Sequence, residues 1–267
     1  MTKIGIIGNG FVGNAIYQNI KDKIKDVFVF DVDSQKSYNT KDETISCDIV
    51  FVCLPTPMKE KNGGECNLSY IDTFFDSLPN DIDGIFVIKS TVPIGTTKNI
   101  SQKRTDLKII HNPEFLTARN SVEDFNSADR NIIGGYLEWA EILRTFYSEY
   151  FPHIPTTIVS SDESETIKYF SNTYLSVKVA YFNLLYDLCQ KLGMNYDDVK
   201  DGIISDKRIG ASHTLVPGID GDRGFGGTCF PKDLNALTET LKDNELNFEI
   251  LKSIWDYNVT IRKKIDW

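Results

Sequence analysis

Six short runs of β-forming residues divide the first 160 positions: KIGIIG, DVFVFD, DIVFVCLP, GIFVIKS, LKIIHNP and NIIGG. Helix-compatible segments lie between most of them, notably 13–25, 69–78 and 137–150. The runs are apolar almost throughout and do not alternate with polar residues, which is the pattern of strands covered on both faces. Strands and helices in alternation imply a parallel sheet with helices packed on each side. The expected fold is therefore α/β, a Rossmann-type doubly wound parallel sheet over residues 1–160. The polar, glycine-rich stretch MKEKNGGECN (58–67) reads as a surface loop after the third strand.

The pattern changes after residue 160. SDESETIKYFSNTYLSVKVAYFNLLYDLCQKLG contains no proline, and its one glycine is the last residue. Ser161 or Asp162 suits the start of a helix and Gly193 its end. Some 30 residues make a helix of about 45 Å. Aromatic and aliphatic side chains occur on both of its faces, so it must be buried, against the first domain or against a partner chain. Further helices are expected over 195–204, 230–243 and 247–264. Residues 161–267 are thus expected to form an all-helical dimerisation region around one long central helix.

The chain carries a net charge of -9 and no basic run, which argues against sequence-independent nucleic-acid binding. No apolar run reaches the roughly 18 residues needed to cross a membrane, and MTKIGIIGNG enters a strand with no signal peptide before it. Five cysteines, widely spaced and without a CxxC pair, suit a reducing cytoplasm better than a disulfide framework or a zinc site. No metal is expected.

GNGFVG follows the first strand and opens a helix, with glycines at Gly8, Gly10 and Gly13. In isolation it is compatible with an ordinary tight turn. Its context fits a dinucleotide site, because a second strand ends at Asp31, about 20 residues on, placed for a ribose diol. The glycines let the backbone approach a pyrophosphate at the helix N-terminus. Asp31 favours NAD over NADP by repelling a 2′-phosphate, and Lys36 pulls the other way. Thr56, Thr91 and Glu114 each follow an apolar strand run, which places them at the carboxyl ends of the strands, where such sheets bind ligands.

GFGGTCFPKD (224–233) loosens the backbone before one thiol. Pro231 suits a first helical turn, so Cys229 stands at a helix N-terminus, where the helix dipole and Lys232 favour thiolate. Asp233 shares its face of the helix at i+4. A nucleophilic thiol is expected here, whereas Cys47, Cys53 and Cys189 read as buried apolar residues. Lys168 and Asn172 share a face of the long helix, and on spacing alone they read as a solvated lysine and a helix-surface amide.

GNGFVG, DVDSQK, PTP, STVPIGT, NPEFL, IKYFSNTYL, RIG and GFGGTCFPKD occur in the order seen in the UDP-glucose/GDP-mannose 6-dehydrogenase family, which the chain resembles from residue 3 to about 260. The resemblance implies NAD-dependent oxidation of the C6 alcohol of a nucleotide sugar to a carboxylate, with two NAD reduced and a thiohemiacetal and a thioester formed on Cys229. It implies that Asp233 and Lys168 handle water and protons, that Asn172 holds substrate and oxyanion, and that Thr91 and Glu114 line the C6 and nicotinamide site. It places NAD against Gly8, Gly10, Val12, Gly13, Asp31, Lys36, Thr56, Thr91 and Lys232. It implies that Glu114, Phe115, Leu116, Lys168, Asn172, Gly218, Ile219, Asp220, Gly221, Asp222 and Gly226 bind the nucleotide sugar. Arg208 matches an arginine that reaches into the partner subunit's site of a homodimer.

Two departures stand out. The family usually carries a second glutamate four residues after the one in NPEFL, and Ala118 stands there. The family usually continues into a second Rossmann-like domain, and this chain stops at Trp267. Two other readings stay open: a single-hydride dehydrogenase of the β-hydroxyacid type, and a non-catalytic NAD-binding dimer.

Overall fold

A computed structural model describes residues 2–60, 63–117 and 119–267. In chain order the elements are β1 (Ile4–Ile7), α1 (Phe11–Ile20), β2 (Val27–Phe30), α2 (Lys41–Ile45), β3 (Ile49–Val52), β4 (Met58–Glu60), β5 (Gly63–Cys66), α3 (Ser69–Asp76) and β6 (Ile85–Ile88). They continue with α4 (Thr96–Lys103), β7 (Lys108–His111), α5 (Ser121–Asn126), β8 (Asn131–Gly134), α6 (Leu137–Tyr150) and β9 (Thr156–Val159). Four helices close the chain: α7 (Ser161–Leu192), α8 (Tyr196–Ile204), α9 (Phe230–Asp243) and α10 (Glu249–Ile261). Contacts group the chain into two compact units, 1–56 with 67–168 and 57–66 with 169–267, and the division falls inside α7.

The first unit is built on a seven-stranded sheet in the order β2-β1-β3-β6-β7-β8-β9. Its strands β1, β3 and β6 are apolar at every position because the pleat sends successive side chains to opposite faces and both faces are covered. In β3, Ile49 and Phe51 pack with Ile16, Ile20 and Phe146 on one side. Val50 and Val52 pack with Ile71, Phe75 and Ile100 on the other. Each such side chain contributes about 1.5–3 kcal/mol of burial free energy.

Three expectations change. The sheet is not wholly parallel: β8 pairs with β7 antiparallel through His111 and Gly134. The connection leaves β7 and re-enters the sheet at the same end, so β8 and the parallel β9 run against the other five strands. The run TTIV at β9 was not among the expected strands, because two threonines dilute its apolar signal. The stretch 58–67 is not simply a loop, since β4 and β5 form a two-stranded antiparallel hairpin.

That hairpin belongs to the second unit, where β5 packs on α9 and a Cβ added at Gly63 would lie 3.0 Å from Asn235 Oδ1. Residues 161–267 are helical as expected, without a strand among the described residues. One face of α7 is buried within the unit through Phe182, Asn183 and Cys189. The opposite stripe, Phe170, Tyr174, Tyr181, Leu184, Leu188 and Leu192, is exposed in the single chain. Among the described residues no helix is long and apolar enough to cross a membrane.

Candidate active site

In the first unit the glycine turn joins β1 to α1. Two of the three glycines are required by the chain itself, for different reasons. Gly8 adopts φ +88° and a Cβ there would stand 2.6 Å from Cys53 O. A Cβ at Gly13 would lie 1.9 Å from Gly8 O, so that glycine lets α1 pack onto the turn. At Gly10 a Cβ would meet nothing within 4 Å. Gly10 is the N-cap of α1 and no side chain among the described residues caps that end, which leaves the first-turn N–H groups, Val12's among them, for a ligand. Asp31 Oδ2 accepts from Asn9 N at 2.6 Å and Oδ1 from Asp33 N at 2.9 Å. Both oxygens keep acceptor capacity for a ribose diol. The Lys36 ammonium lies 3.5 Å from Asp33. An open cradle at Gly10 and an oriented carboxylate at Asp31 fit the pyrophosphate and adenosine ribose of NAD.

The strand ends next to this turn are cross-braced. Thr56 Oγ1 donates to Thr91 O at 2.8 Å, and Ser90 Oγ to Leu54 O at 2.6 Å. Lys89, 3% exposed, lies 3.3 Å from Glu114 Oε2 and donates to Asn112 Oδ1 at 3.0 Å. Tyr147 Oη donates to the same Asn112 oxygen at 2.8 Å. Burial opposes the charge of Lys89, yet the Glu114 carboxylate beside it helps to hold its ammonium above the usual range. Burial pushes the Tyr147 hydroxyl up to about 12. Phe115 is flanked by the Arg130 guanidinium at 4.4 Å and the Lys168 ammonium at 5.0 Å from its ring centre. Leu116 packs on the core.

The first turns of α7 fasten two of these loops. Glu165, fully buried, accepts from Gly95 N at 2.6 Å, Thr97 N at 2.9 Å and Thr97 Oγ1 at 2.6 Å, capping α4. Burial raises its carboxyl to about 7 despite those donors. Ser164 Oγ is 2.9 Å from His111 Nδ1. Lys168 Nζ donates to Glu114 O. Lys168 is 6% exposed and Asn172 7%, so neither is a solvated surface residue.

In the second unit Cys229 is exposed and is the N-cap of the 14-residue α9. Among the described residues no side chain caps this helix end, and Thr228 Oγ1 lies 3.9 Å from the thiol sulfur. The helix N-terminus therefore supplies partial positive charge at the sulfur. Asp233, 1% exposed, accepts from Asn172 Nδ2 on Oδ2 and from Lys232 Nζ on Oδ1. Burial works against the Lys232 charge, but Asp233 holds its ammonium above the usual range. The Lys232 ammonium is thus paired with a carboxylate, a partner that spacing did not indicate.

Residues 218–222 form a tight turn. Gly218 N donates to Asp222 O and Gly221 N to Gly218 O. Its carboxylates are engaged with the end of α10: Asp220 Oδ2 lies 2.7 Å from Arg262 Nη2, and Asp222 Oδ2 accepts from Lys263 N and Lys264 N. A Cβ at Gly226 would stand 2.0 Å from the same guanidinium, so this glycine is required by Arg262. Ile219 is exposed in that turn. Arg208 is also exposed and pairs with Asp206 at 2.5 Å. Ala118 lies outside the described residues.

Sequence reasoning missed Lys89, Asn112, Tyr147, Glu165, Asn258 and Arg262. Lys89 and Glu165 carried a usable signal, a charge closing an apolar strand run and a charge three residues before Lys168. Asn258 holds the Phe225 backbone at both its N–H and C=O, a role with no local signature.

Comparison with known proteins agrees with this geometry. Residues 37–151 match the NAD binding domain of the UDP-glucose/GDP-mannose dehydrogenase family, and 162–260 match its central domain. The UDP-glucose 6-dehydrogenase of Rickettsia typhi is 37% identical over 215 residues, 78% of this chain and 48% of that protein. The chain thus spans about half the length of the curated relatives it matches. The UDP-glucose dehydrogenase structure from Pyrobaculum islandicum superposes with a TM-score of 0.85 at 25% identity, over 97% of this chain and 68% of that one. A 3-hydroxyisobutyrate dehydrogenase from Mycobacterium tuberculosis has a TM-score of 0.72 at 16% identity, over 97% and 93% of the two chains, a likeness of fold alone.

Proposed function

The chain carries the NAD-binding and central domains of the UDP-glucose/GDP-mannose dehydrogenase family, and we propose that it oxidises the C6 alcohol of a nucleotide sugar, UDP-glucose first among the candidates, to the uronic acid. The observation that carries this reading is the exposed thiol of Cys229 at the uncapped start of α9, beside an Asp233 carboxylate held by Lys232 and Asn172. A dehydrogenase that stops at one hydride has no use for such a thiol.

NAD, when bound, supplies the acceptor for each of the two hydrides. Asp31 and the Gly10 turn hold its adenosine and pyrophosphate portions, and Thr56, Thr91 and Lys232 are assigned further contacts with it. In the proposed sequence the alcohol is first oxidised to the aldehyde. The Cys229 sulfur then attacks C6 to form a thiohemiacetal. Loss of the second hydride gives a thioester, and water cleaves it to carboxylate and free thiol. Asn172 stabilises the oxyanion, while Asp233, Lys168 and Glu114 manage water and its protons. The turn 218–222, Gly226, Phe115 and Leu116 are assigned to the sugar nucleotide.

The exposed apolar stripe on α7 supports a two-fold homodimer formed through 163–192, and exposed Arg208 is assigned to the partner's site. Five free cysteines fit a cytoplasmic location.

The test is an NADH assay with UDP-glucose, UDP-N-acetylglucosamine, UDP-galactose and GDP-mannose. Two NADH per sugar oxidised is the expected result. One NADH per substrate would support the β-hydroxyacid type, and NAD binding without turnover the non-catalytic dimer. Mixing an Arg208→Ala chain with a Cys229→Ala chain tests the assembly, since shared sites restore activity in heterodimers.

A further inference from the structure

We propose that Asn9, the central residue of the glycine turn, is a positioning residue for the adenosine end of NAD and helps to set the preference for NAD over NADP. Its main-chain N–H donates to Asp31 Oδ2 at 2.6 Å, and its side-chain Nδ2 donates to Lys36 O at 2.8 Å. One residue thus fastens both the carboxylate expected to meet the ribose diol and the loop that carries the nearby cation.

The remainder of that loop is closed by short-range bonds. Asp31 Oδ1 accepts from Asp33 N, Asp33 Oδ1 from Gln35 N, Asp33 O from Lys36 N, and Ser37 Oγ from Asp31 N. None of these ties the loop back to the glycine turn as the Asn9 side chain does. With its carbonyl held there, Lys36 keeps its ammonium by Asp33, 3.5 Å away. Released, the loop is free to turn that ammonium toward the 2′ position, where it would neutralise a phosphate.

The other end of the same amide makes the choice of asparagine informative. Asn9 is 7% exposed, and its Oδ1 is buried with no hydrogen-bond partner among the described residues. A carbonyl oxygen stripped of water and given no donor costs stability. An apolar side chain would avoid that cost, so the donor end must justify the residue. Stability and cofactor choice therefore respond in different directions when the amide is removed.

The experiment titrates NADH and NADPH against the full chain by nicotinamide fluorescence, with thermal unfolding of the ligand-free protein alongside. In Asn9→Ala the NADH Kd rises about tenfold, the equivalent of one lost hydrogen bond, the NADPH Kd changes less, and the NADH preference narrows. The ligand-free Tm is unchanged or higher. Asn9→Ser, which keeps a donor, restores part of the preference. The proposal is overturned if both Kd values stay within about twofold of wild type. It is also overturned if Tm and both affinities fall together with the preference ratio unchanged, the mark of a purely structural residue. Wild-type chain that binds neither nucleotide overturns it together with the cofactor assignment, whereas a failed sugar assay leaves it standing.

Discussion

Asn172 Nδ2 donates to Asp233 Oδ2 at 2.5 Å, linking α7 to the first turn of α9 across 61 residues. The other Asp233 oxygen is held by Lys232, so a carboxylate only 1% exposed has both oxygens engaged. Removing either end has different consequences. Asp233→Ala strands the Lys232 ammonium, whose side chain is 13% exposed, and is expected to cost about 3 kcal/mol. Asn172→Ala removes one donor to a charged acceptor and should cost roughly 1.5–3 kcal/mol, with the two losses non-additive. Urea unfolding of the single and double variants measures both, and additive losses would show that the three side chains do not act as one network.

The thiols should differ sharply in reactivity. Burial pushes Cys47 and Cys53 each up to about 12, and Cys66 and Cys189 are buried. Cys229 is exposed at a helix N-terminus. Brief treatment with iodoacetamide at pH 7.5 is expected to give one adduct, on Cys229, more than about a hundredfold faster than at any other cysteine. Intact mass and peptide mapping identify the site. The Cys229→Ser chain should stay unmodified over the same interval.

Glu165 predicts a pH dependence of stability. Its folded value, raised to about 7 by burial, lies above that of an exposed glutamate, so the native state binds the proton more tightly than the unfolded state. The stabilisation is full below the unfolded value and is lost as pH rises toward and through 7, by about 3 kcal/mol at most. Urea midpoints at pH 5 and pH 8 should therefore fall with rising pH in wild type, and fall less in Glu165→Gln. Parallel pH profiles for the two chains would count against this assignment.

Ala118 predicts a kinetic signature. Thioester cleavage needs a group to accept a proton from water, and such help is typically worth about 10²–10⁴-fold. Under the proposed sequence of steps, alanine in place of the family's second glutamate is expected to slow hydrolysis while both oxidations proceed. An NADH burst followed by a slow steady state is expected, with acyl-enzyme visible on Cys229 by intact mass. Ala118→Glu should raise the steady state without enlarging the burst. Slow turnover with no adduct would place the slow step elsewhere.

The sheet was legible because burial on two faces leaves a periodicity-free apolar run, as in Ile49–Val52. The direction of β8 was not, since a strand's residues carry no mark of which way their neighbour runs. Lys168 and Asn172 show the limit for the site. Spacing placed them on one helix face but could not show that the face is buried, because the groups that cover it come from distant parts of the chain. Asp233 could be placed beside Cys229 from helical geometry alone, but its partnership with Asn172 depends on two helices meeting across 61 residues.

The hairpin at β4 and β5 sets an order of events during synthesis. It emerges with the first unit, yet it packs on α9, whose first residue follows roughly 160 positions later. At about 5–20 residues per second, the ribosome needs on the order of 10–30 s to deliver that helix. An isolated two-stranded hairpin is marginally stable at best in water. During that interval the sheet of the first unit can consolidate around a segment that has nothing to fold against. The second unit is therefore discontinuous in time as well as in sequence, and its thiol-bearing helix completes a partner made long before it.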